Sequence, residues 1–151
     1  MNESKFNEIM DFAISKEKEA VQLYQELQNK AKFNSQKKEL KKFEDMEKGH
    51  IIILNNIKQK NEKNFLNIPD IQDLSISNYL VETKFTQSNS YQDIIIIAMK
   101  KEEKAYNLYN DLANKTKDSE IKNLFQKLGS EEAKHKLYFE KIYEDEILTD
   151  N

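Results

Sequence analysis

Apolar residues recur at helical spacing in four long stretches of the chain. Phe6, Met10, Ala13, Ala20, Tyr24, Leu27 and Ala31 share one stripe, and Leu40, Phe43, Leu54 and Ile57 share a second. Ile95, Ala98, Ala105, Tyr109 and Leu112 form a third, and Ile121, Phe125, Leu128, Phe139 and Ile142 a fourth. Positions three or four apart are neighbours on a helix surface, so each stripe predicts one amphipathic helix with one face buried. The pattern places these helices over Lys5 to Ala31, Gln36 to Lys60, Tyr91 to Lys115 and Ser119 to Asp145. Asn34 and Ser35 interrupt the first pair, and Asp118 and Ser119 the second, with residues suited to turns and helix N-caps; Ser90 is the expected cap of the third helix. Between the second and third helices, residues 61–89 hold the single proline, Pro69, and a run rich in Ser, Thr and Asn. That connection is too long for a tight antiparallel turn. It can run back along the bundle, which makes the second and third helices parallel. Within it, a short helix over Asp73 to Glu82 and an unstructured segment are the two alternatives. The expected fold is all-α: two helical hairpins joined by one long crossover into a four-helix bundle.

The two hairpins are related by internal duplication. At an offset of 85 positions, Ala13 falls on Ala98, Glu17 on Glu102, Ala20 on Ala105, Tyr24 on Tyr109, Glu47 on Glu132 and His50 on His135. The matched pairs include six polar residues that break the apolar stripes: Glu17, Glu102, and a Glu-x-x-His step on each of the second and fourth helices, Glu47 with His50 and Glu132 with His135. Glu17 and Glu47 stand almost equally far from the first hairpin tip, as Glu102 and Glu132 do from the second. At about 1.5 Å of rise per residue the members of each pair differ by only a few ångströms in height. All six are therefore expected in one layer inside the bundle. Four ionised carboxylates cannot share a buried layer without positive charge, and two divalent cations would balance them. Oxygen and imidazole donors suit iron or manganese better than magnesium or calcium. The competing readings are surface residues that match the spacing by coincidence, and a degenerate bundle without metal.

Composition narrows the chemistry. The chain has 151 residues, the length of one domain spanning 1–151, with two glycines and one proline, too few for the turns of a many-stranded sheet. It has no cysteine, which removes disulfides, thiol chemistry and cysteine-ligated clusters. All 24 basic residues are lysines, and the net charge of −3 comes without a basic patch, so no nucleic-acid partner is expected. The longest apolar runs, Ile51 to Leu54 and Ile94 to Met99, are too short to span a membrane. The start, MNESKFNEIM, has no secretory pattern, and a cytoplasmic location is expected. Apolar residues of those two runs extend beyond the inward stripe. They point either to a homodimer surface or to packing under the crossover. Glu19, Glu44, Glu103 and Glu131 lie off the stripe and are expected to be solvated.

EKEAVQLY from Glu17 and EEKAYNLY from Glu102, with EKGH ending at His50 and EAKH ending at His135, resemble the ferritin-like di-iron carboxylate proteins, above all the helical domain of the rubrerythrin family. The resemblance covers all four helices. It implies two iron ions held by Glu17, Glu47, His50, Glu102, Glu132 and His135, with Glu47 and Glu132 as bridging carboxylates. Tyr24 and Tyr109 then either hydrogen-bond to ligating carboxylates or simply fill the core. The implied activity is reduction of hydrogen peroxide or dioxygen. A ferroxidase serving iron storage or delivery, of the bacterioferritin type, is the alternative, and a metal-free structural bundle the third. Three departures from relatives matter. Without cysteine there is no rubredoxin-type centre, so electrons are expected from an external rubredoxin-like donor. Ala105 stands where rubrerythrins tend to carry an extra Glu. Bacterioferritins have a fifth helix, for which Ile147 to Asn151 leave no room, and a haem methionine after the ligand position, whereas Met46 precedes Glu47.

Overall fold

Helix α1 spans Asn2–Lys30, α2 Asn34–Glu62, α3 Tyr91–Lys115 and α4 Ser119–Ile142, and α4 runs on into a π-helical turn at Tyr143–Leu148. The computed structural model describes residues 2–63, 66, 71, 74–81, 86 and 89–148. No strand occurs among them. The starts of α3 and α4 are set by side-chain caps: Ser90 Oγ accepts from the Asp93 amide at 3.1 Å, and Asp118 Oδ1 from the Ile121 amide at 3.0 Å. Helix α2 differs from expectation. It begins at Asn34, with Phe33 in the cap position and no side-chain cap, so Asn34 and Ser35 are helical residues instead of its N-cap.

Two apolar clusters show how the helices are arranged. In one, Phe6, Ile9, Met10 and Ala13 of α1 meet Leu54 and Ile57 of α2, Leu108 and Leu112 of α3, and Ile121 and Phe125 of α4. In the other, Leu23 and Leu27 of α1, with Ala31 just after it, meet Leu40 and Phe43 of α2, Ile94 and Ala98 of α3, and Phe139 and Ile142 of α4. The N-terminal half of α1 thus lies against the C-terminal halves of both α2 and α3. This makes α1 antiparallel to each of them, and α2 parallel to α3, the ferritin-like arrangement. The layer between the two clusters holds the six polar residues that interrupt the stripes.

The duplicated hairpins are fastened differently. Between α1 and α2, Gln25 and Gln28 donate to the Glu44 carboxylate at 3.1 and 2.8 Å. The positions matching Gln25 and Glu44 in the second hairpin are Asn110 and Gly129. There, a Cβ on Gly129 would come within 3.2 Å of Asn110 Oδ1, so the missing side chain permits the close approach of α4 to α3. Gln36 at the start of α2 donates to Glu146 in the π-helical turn, joining one end of the bundle.

In the crossover, Ile71, Leu74 and Tyr79 are buried against the first cluster, and Ile76–Tyr79 forms a 3-10 turn inside the span where a short helix was expected. The expected ends of that helix, Asp73 and Glu82, lie outside the described residues, as does Pro69. Ile94, Ile95 and Ile97 are buried within the chain, so this run is used in the bundle's own packing; of the run on α2, Ile52 stays 62 % exposed. Among the described residues no helix is long and apolar enough to cross a membrane.

Candidate metal centre

All six residues that interrupt the stripes are buried, none more than 2 % exposed. Each helix contributes from its inward face: Glu17 from α1, Glu47 and His50 from α2, Glu102 from α3, and Glu132 and His135 from α4. Their donor atoms form two groups of four, Glu17, Glu47, His50 and Glu132 in one and Glu47, Glu102, Glu132 and His135 in the other, each with its atoms within 4.8 Å of one another. Glu47 and Glu132 belong to both groups and lie between the other four. His50 Nδ1 faces Glu132 Oε1 at 3.1 Å, Glu17 Oε2 at 3.3 Å and Glu47 Oε1 at 3.4 Å. His135 Nδ1 faces Glu47 Oε1 at 3.4 Å and Glu102 Oε1 at 3.9 Å.

The electrostatics of this cluster are those of a site that needs cations. Burial, reinforced by the charge of Glu132, pushes Glu47 and Glu102 well above the usual carboxylate range, and Glu17 upward as well. Burial acts the same way on Glu132, but hydrogen bonding with His50 outweighs it and brings that carboxyl to about 2. Burial draws both imidazoles down. It prevails at His135, which falls to about 4, whereas Glu132 and Glu17 override it at His50 and raise that ring to about 11. Even so, both Glu47 oxygens, Glu102 Oε2 and both nitrogens of His135 have no hydrogen-bond partner. Buried polar atoms left in this way cost several kcal/mol unless something satisfies them. An all-carboxylate and imidazole donor set in two groups sharing two carboxylates fits a pair of iron or manganese ions.

The surroundings of the two groups differ. Tyr109 Oη donates to Glu17 Oε1 at 2.7 Å, and burial keeps this phenol protonated, its pKa well above the ordinary value. Tyr24 makes no such bond. Its hydroxyl is buried without a partner, and its ring stands edge-on to His135 with centroids 5.9 Å apart. Two acidic residues expected in solvent are engaged by the structure, Glu131 half-buried and Glu44 buried. Glu131 reaches across from α4 so that His50 Nε2 donates to its Oε1 at 2.8 Å. Glu44 is only 3 % exposed, bound by Gln25, Gln28 and Lys48. The stripe pattern missed both because it reads one helix at a time, and His50 for Glu131 and the two glutamines for Glu44 lie on other helices. Glu19 pairs with Lys16 and Lys101 at the surface, and Glu103, 56 % exposed, pairs with Lys136.

A pocket of about 490 Å³, its mouth included, reaches the cluster between α1 and α3. Glu17, Glu47, Glu102 and Glu132 line its inner part, and it passes between the duplicated pairs Ala20/Ala105 and Lys16/Lys101. Ala105 thus lies on the pocket wall, where its short side chain leaves space. Tyr79 and Val81 of the crossover and Lys104 also line it. The crossover is tied to α3 here, Tyr79 Oη donating to Asp111 at 2.6 Å and Lys104 Nζ to the Asn78 carbonyl at 3.3 Å.

Fold and site together define a ferritin-like four-helix bundle with a buried carboxylate and histidine cluster that could hold two metal ions. The Rubrerythrin family model matches residues 8–143, and the chain belongs to that family. A solved structure of a hypothetical protein from Pyrococcus furiosus has the same fold, with a TM-score of 0.70 and 25 % sequence identity over 92 % of this chain and 88 % of that one. The search of curated proteins finds no match.

Proposed function

We propose that this protein is a di-iron oxidoreductase that reduces hydrogen peroxide, or dioxygen, with electrons from a separate donor protein. The observation that carries this reading is the pair of four-residue donor groups sharing Glu47 and Glu132 at the inner end of a pocket. In this reading Glu17 and His50 would hold one iron, Glu102 and His135 the other, and Glu47 and Glu132, common to both donor groups, would serve both. Two bound iron ions would supply the electrons and Lewis acidity needed to cleave an O–O bond. The chain's own residues do the rest. The two apolar clusters exclude water on either side of the layer, Tyr109 holds the orientation of Glu17, and the pocket between Ala20 and Ala105 admits a small oxidant. One peroxide takes up two electrons and two protons and leaves as two waters. These 151 residues include no cysteine, so they build no rubredoxin-type centre, and the reading takes the electrons from a separate donor.

Two substrates, peroxide and ferrous iron, suit a pocket lined by both carboxylates and lysines. Lys16, Lys101 and Lys104 line the pocket, and of these Lys16 and Lys101 share Glu19 as counterion. The test is stopped-flow mixing of the anaerobically reduced, iron-loaded protein with peroxide and, separately, with dioxygen. Rapid single-turnover oxidation by peroxide, faster than by dioxygen, is expected. Slow oxidation without that preference, accompanied by sustained turnover of added ferrous iron, would establish the ferroxidase reading instead.

A further inference from the structure

The duplication makes each residue around one metal position comparable with its counterpart around the other, and the two sets do not match. Behind His50 stands Glu131, accepting from Nε2 at 2.8 Å; the position that duplicates Glu131 is Met46 on α2, which has no acceptor oxygen to offer His135. His135 Nε2 accordingly has no partner. Its ring lies against Phe43 at 4.1 Å between centroids, in an apolar wall. The carboxylates show the same imbalance. Tyr109 Oη bonds Glu17 at 2.7 Å, while its counterpart Tyr24 leaves both its own hydroxyl and Glu102 Oε2 unpartnered.

We propose that the two metal positions are built unequal: the one served by Glu17 and His50 fills first and holds its ion more tightly than the one served by Glu102 and His135. The inference rests on the di-metal reading above and goes past it, since nothing in that reading distinguishes the two positions. Its physical ground is preorganisation. A hydrogen bond from Nε2 to Glu131 keeps the proton on that nitrogen, so that Nδ1 is the nitrogen presented to the cluster and the one that gives up its proton when an ion binds. The ring is then held in the tautomer and orientation a metal requires, and the carboxylate behind it strengthens the imidazole as a donor. Tyr109 likewise fixes one oxygen of Glu17 before any ion arrives. Glu102 and His135 must be ordered by the second ion itself, which lowers its net affinity. Glu131 and Tyr109 are positioning residues. Met46 is the substitution that removes the matching arrangement from the other half.

Titration of the metal-free full-length protein with Co²⁺, followed by visible absorbance and by calorimetry, tests this directly. Two resolved steps of one ion each are expected in the unaltered chain. Removing a hydrogen-bond partner behind a ligating histidine typically costs ~10–100-fold in metal affinity. Glu131→Ala should therefore weaken the first step by about that factor and leave the second in place, drawing the two together. Met46→Glu should tighten the second step. His50→Ala should abolish the first step and His135→Ala should preserve it, which identifies the position filled first; circular dichroism checks that each variant keeps its helices. Two ions taken up in a single step of equal affinity, or a Glu131→Ala variant with both steps unchanged, would overturn the inequality and leave the di-metal reading standing. Absence of Co²⁺ binding would overturn both.

Discussion

At Glu44 two glutamine amides and the ammonium of Lys48 converge on one carboxylate that is 3 % exposed. Burial would raise such a group, but the hydrogen bonds from Lys48, Gln28 and Gln25 prevail and bring it to about 2. Because its pKa in the folded chain is below the ordinary 4.5, the stabilisation it provides is complete above that value and is lost as the pH falls toward 2. Glu44→Gln, which keeps the shape and removes the charge, should cost about 1–3 kcal/mol at neutral pH, the worth of hydrogen bonds to a charged group. Urea unfolding of both proteins from pH 7 downward should show the gap closing below pH 4.5. A gap independent of pH would mean that the charge contributes nothing. Neutral and ionised environments also lie side by side at the candidate centre, where burial carries His135 down to about 4 and hydrogen bonding carries His50 up to about 11.

Helices α3 and α4 begin on side-chain caps and α2 does not, so their starts should respond differently to mutation. Ser90 and Asp118 each satisfy an amide of the first turn that would otherwise lack a partner. Loss of such a cap costs about 1 kcal/mol, so Ser90→Ala and Asp118→Ala should each lower stability by that amount in denaturant unfolding. Asn34→Ala should change little, because α2 starts at Asn34 with Phe33 in the cap position and no side chain capping it. If Asn34→Ala cost as much as Ser90→Ala, the observed start of α2 would be wrong. Sequence alone placed the helices to within a few residues, since helical period is a local property. It misplaced the cap of α2, because Asn34 and Ser35 suit a cap and a first turn about equally well, and the neighbouring helices decide between these roles.

Over the whole molecule, the polar layer between the two apolar clusters is a structural cost as well as a site. Four carboxylates and two imidazoles, those of Glu47, Glu102 and His135 with unpartnered atoms, sit where the helices would otherwise pack apolar side chains. Ions that bind only the folded chain should relieve this. At a free metal concentration of 100 times Kd one site adds about 2.7 kcal/mol. Thermal unfolding is therefore expected at a distinctly higher temperature with Mn²⁺ or with anaerobic Fe²⁺ than with chelator. Glu47→Ala should remove more of that rise than Glu102→Ala, because Glu47 belongs to both donor groups and Glu102 to one. Equal losses from the two variants would argue against Glu47 as a shared ligand.

What the sequence by itself determined was which residues face inward and at what height. The period of 3.6 residues per turn assigns a face to every residue of a helix, and the two hairpin tips set the levels of Glu17, Glu47, His50, Glu102, Glu132 and His135. The duplication made the site look symmetric, and by periodicity Tyr24 and Tyr109 were equivalent. Only the tertiary structure decided otherwise. Contacts such as Glu131 with His50 at 2.8 Å and Tyr109 with Glu17 at 2.7 Å join helices distant in sequence. Whether such a bond forms depends on how each helix is rotated and shifted against its neighbour, by less than one residue's rise, and on what fills the matching position in the other half. Those quantities come from the packing of all four helices together, and no single stretch of the chain contains them.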